Sequence, residues 1–270
     1  MKITIVYAAT RAESAESARR LHSFLEERGV EHSVMSLTDF EKADTSAGDD
    51  ILIVLGGDGT MLRAARRITS PSIVVAGVNY GRAGYLCQIQ PAELYESMEK
   101  ILKRDYQVDR VSRLAVYLDD RFLGDVLNEI LISSRRPGRI IEYRIAQEDL
   151  ILVDVADGVI ISTPIGSTAY ALSAGGPAVH EDVEAMVVAP LASMTNLRPL
   201  VVPMSTPLYV NVSKGEPQIL VDGHTYYDVG QSTVKVVKSP NSLGFIRLRG
   251  QLMFSRRLRK RLYQHRPFET

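Results

Sequence analysis

Gly56, Gly57, Asp58, Gly59 and Thr60 form a run whose residue types suit phosphate chemistry. The apolar stretch Ile51-Leu52-Ile53-Val54-Leu55 before it reads as a buried strand, and residues 61–67 after it read as the first turns of a helix. A glycine-rich strand-to-helix turn offers bare backbone N–H groups and the positive end of a helix dipole, so an anion, typically a phosphate, is its natural guest. A carboxylate in the middle of such a turn repels that guest. Two readings account for Asp58: it takes a proton from a hydroxyl beside the phosphate, or it caps the helix through the N–H of Thr60 or Met61.

Three further segments carry more polar or small residues than packing requires. Residues 77–86, Gly-Val-Asn-Tyr-Gly-Arg-Ala-Gly-Tyr-Leu, follow a strand with three glycines in eight positions. They form either a second ligand loop or a connection to the helix opened by Pro91. Asn128 and Glu129 sit in the otherwise apolar run 126–132. One of them must face the interior, where an unpaired polar group costs ~1–3 kcal/mol. An amide suits an adenine edge and a carboxylate suits ribose hydroxyls. The third segment, 157–177, passes from a strand into a loop of Ser, Thr, Gly and Pro, then a short helix, then Gly-Gly-Pro. Its small residues let a flat ligand approach the main chain.

The elements that must position these residues fall into two styles. Residues 1–107 alternate strand and helix: strand 2–8, helix 14–28 with Ala18, Leu21 and Leu25 on one face, strands at 31–36, 51–55 and 72–78, and a helix from Pro91 with Leu94, Met98, Ile101 and Leu102 together. This βαβ order predicts an α/β N-terminal domain with a mostly parallel sheet, whose ligands bind beyond the carboxyl ends of the strands. From 108 to 245 short strand-like runs dominate, at 113–118, 127–133, 140–145, 157–162, 208–212 and 234–237, which predicts a C-terminal antiparallel β-sandwich domain. Residues 246–270 form a tail. Its Phe254, Leu258 and Leu262 recur every fourth position, so its basic run reads as an amphipathic helix rather than a nucleic-acid patch.

Composition excludes several classes. Lys plus Arg and Asp plus Glu number 32 each, so no bulk charge calls for nucleic acid. The single cysteine, Cys87, excludes an internal disulfide and a cysteine-based zinc site, and no other metal-ligand set is legible. It reads as a small buried hydrophobe. No apolar run approaches the ~20 residues of a membrane span, and the first residues lack a secretory pattern, so a cytoplasmic protein is expected. There is no Gly-x-x-x-x-Gly-Lys-Ser/Thr loop. There is also no Gly-x-Gly-x-x-Gly after the first strand, where Tyr7-Ala8-Ala9-Thr10-Arg11 stands, which argues against a dinucleotide oxidoreductase.

Taken together these motifs resemble the NAD kinase family across the whole chain and in the family's order. The matching elements are Gly-Gly-Asp-Gly-Thr at 56–60, the glycine segment at 77–86 with Val78 and Tyr85 as conservative replacements, Asn128-Glu129, the long run 157–177, and Arg198-Pro199-Leu200-Val201-Val202-Pro203. The Thr-Pro-x-Gly-Ser-Thr-Ala-Tyr element is the specific one; the Gly-Gly-Asp-Gly turn is shared with lipid kinases. The resemblance implies phosphorylation of the 2′-hydroxyl of the adenosine ribose of NAD to give NADP. It also implies ATP or polyphosphate as donor, a divalent cation such as Mg2+, a homodimer or homotetramer, and a terminal segment that returns to the first domain.

By position, the resemblance makes Asp58 the catalytic base, with Gly57, Gly59 and Arg63 beside the dinucleotide. Asn128 and Glu129 would hold the adenosine part, Arg139 would lie near the substrate and Asp157 would contact the nicotinamide side. Thr168, Ala169, Tyr170 and Ser173 would line the adenine pocket, with Ala192 close by. Two departures stand out: Ile165 replaces the family's usual Thr, and His224 stands where Gln is commoner, which leaves its role open. A lipid or sugar kinase sharing the glycine turn is a competing reading, although the 157–177 loop is mostly small and polar rather than an apolar groove. A dinucleotide-binding regulator without catalysis is another.

Overall fold

The computed structural model describes residues 1–43, 50–82, 84–250 and 254–263. Ala83 of the second glycine segment, and residues 251–253 and 264–270 of the tail, lie outside the described residues. The chain divides into two units, Met1–Val111 with Leu243–Thr270, and Ser112–Ser242.

The first unit is built on one six-stranded sheet. Its order is Glu31–Ser36, Lys2–Tyr7, Ile51–Gly56, Val74–Asn79, Leu243–Arg247 and Gln107–Val111. The first five strands are parallel and the last is antiparallel. The two central strands, Ile51–Gly56 and Val74–Asn79, are buried along their length, which is why their sequences are continuous apolar runs. Helix Ala12–Glu26 buries Ala18, Leu21 and Leu25, and helix Leu94–Leu102 buries Leu94, Met98 and Ile101, all in the cluster that holds Ile3, Ile53 and Val78. Strand Leu243–Arg247 enters this sheet from the far end of the sequence, and Gln107–Val111 pairs with it. Neither strand is marked by composition: the second reads Gln-Val-Asp-Arg-Val and is exposed at all but its last residue.

The second unit holds two antiparallel six-stranded sheets. One contains Leu150–Ala156, Ile141–Gln147, Leu208–Lys214, Val234–Lys238, Leu114–Leu118 and Arg121–Val126; the other contains Leu200–Pro203, Ala185–Leu191, Gly158–Ser162, Glu129–Ser134, Pro217–Val221 and Thr225–Asp228. Alternate residues of both sheets, among them Val116, Tyr143, Ile145, Val210, Val236, Ile130, Ile132, Val159, Ile161 and Ile219, form one buried cluster. That shared core makes the pair a sandwich. Six of these twelve strands answer to runs read from the sequence, and the other six do not. Ala185–Leu191 contains Pro190 and Pro217–Val221 begins with proline, both of which weaken a strand signal.

A buried carboxylate secures the sandwich near residue 192. Asp154 accepts hydrogen bonds from Tyr143 Oη at 2.9 Å, Ser193 Oγ at 2.8 Å, Thr195 Oγ1 at 2.7 Å and its neighbour's N–H at 2.8 Å. Burial works against its charge, but the hydroxyls of Thr195, Ser193 and Tyr143 outweigh it and hold its pKa below the ordinary carboxylate value. The sign follows: this contribution is fully present above the unfolded pKa of about 3.9 and is lost as pH falls through the lower folded value. Thermal melts from pH 6 downward should therefore show a smaller loss of stability below pH 4 in Asp154→Asn than in the native chain. At neutral pH the variant should be less stable by about 1–3 kcal/mol.

Candidate active site

In the first unit, strand Ile51–Gly56 ends at Gly57, and helix Asp58–Ala65 begins directly after it. The Gly57 carbonyl accepts the N–H groups of Thr60 at 2.9 Å and Met61 at 3.1 Å, so the helix start is capped by main chain and Asp58 does not cap it. The Asp58 carboxylate instead reaches the second glycine segment. Its Oδ2 accepts Tyr85 N–H at 3.0 Å, and its Oδ1 accepts Leu86 N–H at 2.9 Å and Cys87 N–H at 3.1 Å. A carboxylate has about four lone-pair sites. Among the described residues three are taken, which leaves one on Oδ2.

The two glycine loops meet back to back. A Cβ on Gly57 would sit 3.4 Å from Gly81 Cα, and one on Gly81 would sit 3.1 Å from Gly57 Cα. Tyr80 N–H donates to Gly56 O at 2.8 Å, and Arg11 Nη1 donates to Tyr80 O at 2.7 Å, closing the group from the first strand. Gly59 is exposed on the first helical turn. Cys87 is fully buried; burial and then the Asp58 charge push its thiol pKa well up, so it stays a thiol. Arg63 is committed to Glu41: Nε lies 2.7 Å from Oε1, and Nη2 pairs with Oε2. That bidentate bond raises the guanidinium's pKa. Glu41 carried no signal in the sequence, being one acid among 32.

In the second unit the Asn128-Glu129 pair stands where strand Arg121–Val126 turns into strand Glu129–Ser134. The turn is held by Asp222, which is 2% exposed. Its Oδ2 accepts Leu127 N–H at 3.0 Å, and its Oδ1 accepts Asn128 N–H at 2.7 Å and Glu129 N–H at 3.2 Å. Asp222 sits at φ 45°, one residue before Gly223. The Asp-Gly pair after strand Pro217–Val221 was the one signal that could have marked it. His224 is exposed; its Nδ1 is 2.7 Å from the Asp222 carbonyl, so Nδ1 is a donor there.

The 163–170 segment lies against the same turn. Thr163 N–H donates to Asn128 O at 2.9 Å and Thr163 Oγ1 to Leu127 O at 2.6 Å, while Gly166 N–H donates to Thr163 Oγ1 at 2.9 Å. A methyl on Gly166 would run into the Asn128 main chain. Ser167 and Thr168 hydroxyls turn back onto the carbonyls of Pro164 and Ile165, so both are spent inside the loop. Ile165 itself is 2% exposed. Across the ladder Glu129 stands opposite Ser162. Both are buried, and the Ser162 hydroxyl has no hydrogen-bond partner among the described residues.

The same strands run to a second locus. Gly158 pairs with Ser133, and Asp157 N–H donates to Leu191 O at 2.9 Å. Arg139, Asp157, Tyr170 and Ala192 line a cavity of about 410 Å³ there, together with Ser133 and Arg136. Ala192 adopts φ 52°. Short helix Tyr170–Ser173 connects the two loci; its Ala171 packs on Ile160, Val187 and Ala189, and its Ser173 is exposed. The four-residue offset from Glu129 to Ser133 corresponds to about 13 Å of strand.

The family description of the ATP-NAD kinase N-terminal domain matches residues 35–106, and that of the C-terminal domain matches residues 127–248. The NAD kinase of Methanothermobacter thermautotrophicus is 34% identical, over 98% of this chain and 97% of its own.

The chain belongs to the NAD kinase family.

The NAD kinase of Thermococcus sibiricus is 35% identical over 92% of this chain and 94% of its own. Among solved structures, an NAD kinase from Archaeoglobus fulgidus in complex with ATP superposes with a TM-score of 0.78 at 26% identity, covering 98% of each chain. A yeast NADH kinase complexed with NADH shares the fold, with a TM-score of 0.82 at 20% identity, covering 100% of this chain and 89% of that one.

The contact at Gly166 supplies a direct check on an NAD kinase of this build. Gly166→Ala forces the 163–168 loop off residue 128 and should cost about 1–3 kcal/mol of stability, the usual range for overpacking. Chemical denaturation of the variant beside the native chain measures it.

Proposed function

We propose that this NAD kinase transfers the terminal phosphoryl group of ATP to the 2′-hydroxyl of the adenosine ribose of NAD, giving NADP. The observation that carries the reading is the pair of loci on one sheet of the second unit. Asn128, Glu129 and the 163–168 loop lie at one end, and Arg139, Asp157, Tyr170 and Ala192 lie about 13 Å away at the other, a spacing suited to an extended dinucleotide. The adenosine half goes to the first, and the nicotinamide half to Asp157 at the second. Thr168 ends the first loop, and Ala169, Tyr170 and Ser173 run on from it toward the second locus; the resemblance assigns these four, with Ala192 close by, to the adenine side. The small, polar lining favours a dinucleotide over a lipid acceptor.

The acceptor is a secondary alcohol, whose proton must leave as the new P–O bond forms. Asp58 takes it on the remaining lone pair of Oδ2. Phosphoryl transfer passes through a loose transition state, so a weak base suffices and alignment and charge cancellation supply most of the acceleration. The N–H groups at the start of helix Asp58–Ala65, with Gly57 and Gly59 giving close access, face the negative charge of the phosphates. Arg63 adds its charge there only once Glu41 releases it.

No group of three His, Cys, Asp or Glu side chains among the described residues forms a metal cage. Mg2+ bound through the nucleotide phosphates is the form compatible with these donors. No helix among the described residues is long and apolar enough to cross a membrane. A cytoplasmic homodimer or homotetramer, and polyphosphate as an alternative donor, complete the reading on family resemblance.

Asp58→Asn should lower NADP formation by at least about 100-fold, the lower range for loss of a general base. NAD affinity by calorimetry should stay within about tenfold (~1.4 kcal/mol). Native-like turnover in the variant would remove the base role. Mass spectrometry of NAD incubated with ATP and Mg2+ separates the kinase from a non-catalytic NAD-binding protein.

A further inference from the structure

The buried polar groups of the second unit include a cluster that the reaction does not use directly. Arg113 is 1% exposed. Its Nε donates to the Asn241 carbonyl at 2.6 Å, and its Nη2 lies 3.5 Å from Asp125 Oδ2. Asp125 also accepts the Ser239 hydroxyl at 2.6 Å and the Asn241 side-chain amide at 3.1 Å. Ser239 N–H donates back to the Arg113 carbonyl at 2.8 Å. The chain enters this unit between residues 111 and 112 and leaves it between 242 and 243, so the cluster ties entry to exit.

A cation this deep is retained only where several partners compensate its lost hydration. Burial lowers the guanidinium's pKa; Asp125 first and Asp222 second act against that. These two carboxylates stand on either side of one turn. Asp125 is two residues before Leu127, at the end of strand Arg121–Val126, and Asp222 holds the N–H groups of Leu127, Asn128 and Glu129. The 125–129 segment is thus anchored at its start by the Arg113 cluster and along its length by Asp222.

We propose that Arg113 is a positioning residue for the dinucleotide: through Asp125 it fixes the start of the turn, gripped along its length by Asp222, that presents Asn128 and Glu129 to the adenosine half of NAD. This rests on the assignment of Asn128 and Glu129 to that half. The guanidinium touches neither substrate nor reacting atoms. It sets where the main chain of 127–129 lies, and therefore where the two side chains start. A lysine would keep the charge but lose the planar fork that reaches the Asn241 carbonyl and Asp125 together.

The test is steady-state kinetics on the full-length enzyme, with NAD and ATP varied separately and melting followed in parallel. Arg113→Met should raise the KM for NAD about tenfold, with the KM for ATP and kcat within about threefold. Arg113→Lys should recover only part of the loss. Arg113→Met combined with Asp222→Asn should lose clearly less than the product of the two single effects, because the pair acts on one turn. A lower melting temperature with native KM for NAD, or single effects that multiply in the double variant, would overturn the proposal. Should Arg113→Met fail to fold, Ser239→Ala keeps both charges and removes one bond to Asp125. A KM for NAD raised about two- to fivefold with KM for ATP unchanged supports the proposal, and a native KM for NAD overturns it. Asn128→Ala separates the two levels. If its KM for NAD is native, the assignment of that turn fails. If it is raised while Arg113→Met is native, only the positioning role fails.

Discussion

Two aspartates, one in each unit and each accepting three successive main-chain N–H groups, are the constraint on which the candidate site residues of that unit depend. Asp58 takes those of residues 85–87 and Asp222 those of residues 127–129. Each carboxylate does for a loop what a neighbouring strand does for a strand: it satisfies consecutive donors that would otherwise be left bare in a partly dry setting. Hydrogen bonds to an ionised acceptor are stronger than neutral ones. A loop gripped in this way keeps one shape without needing regular secondary structure. The carboxylate pays no further ordering cost when substrate arrives.

The glycines follow from these clamps. The Gly57 and Gly81 loops approach so closely that side chains on either would push the Asp58 clamp apart, and Gly166 lies directly on the Asn128 main chain. Small residues in 157–177 therefore serve two ends at once: they let the loop close on the 127–129 turn, and they leave room above the sheet. The hydroxyls around this segment are divided in what they bond. Those of Thr163, Ser167 and Thr168 are spent on carbonyls of their own loop or its neighbour, whereas Ser162 stays unpartnered opposite Glu129.

Arg63 shows how a neighbouring carboxylate can hold a candidate site residue. It sits one helical turn beyond Asp58, where a cation would face a phosphate, yet its guanidinium is paired with Glu41 from the end of a short helix, Leu37–Phe40. The pair is about one-third exposed on each side, so its net contribution is small and the bond can be exchanged. That is a different state from the buried Arg113 with Asp125, where removing either partner strands a charge in the interior. An arginine facing a carboxylate thus gives one exchangeable contact and one fixed one, and burial decides which.

The sequence by itself determined the parallel sheet around Ile51–Gly56 and Val74–Asn79, because strands buried on both faces must be apolar throughout, and it marked the turn at 56–60 and the segment 157–177 by their density of glycine and hydroxyl residues. It also placed Asn128 and Glu129 as polar groups in an apolar run. The tertiary structure alone decided what those groups touch. Leu243–Arg247 joins a sheet begun more than two hundred residues earlier, and its partner Gln107–Val111 has almost no apolar pattern, since an edge strand exposed to water needs none. Asp222 lies 93 to 95 residues from the N–H groups it accepts, and Arg113 lies 128 from the carbonyl it meets. Periodicity records which face of an element is dry. It carries no record of which distant donor a buried carboxylate will find, because that pairing is settled only when the sheets have packed and water has left.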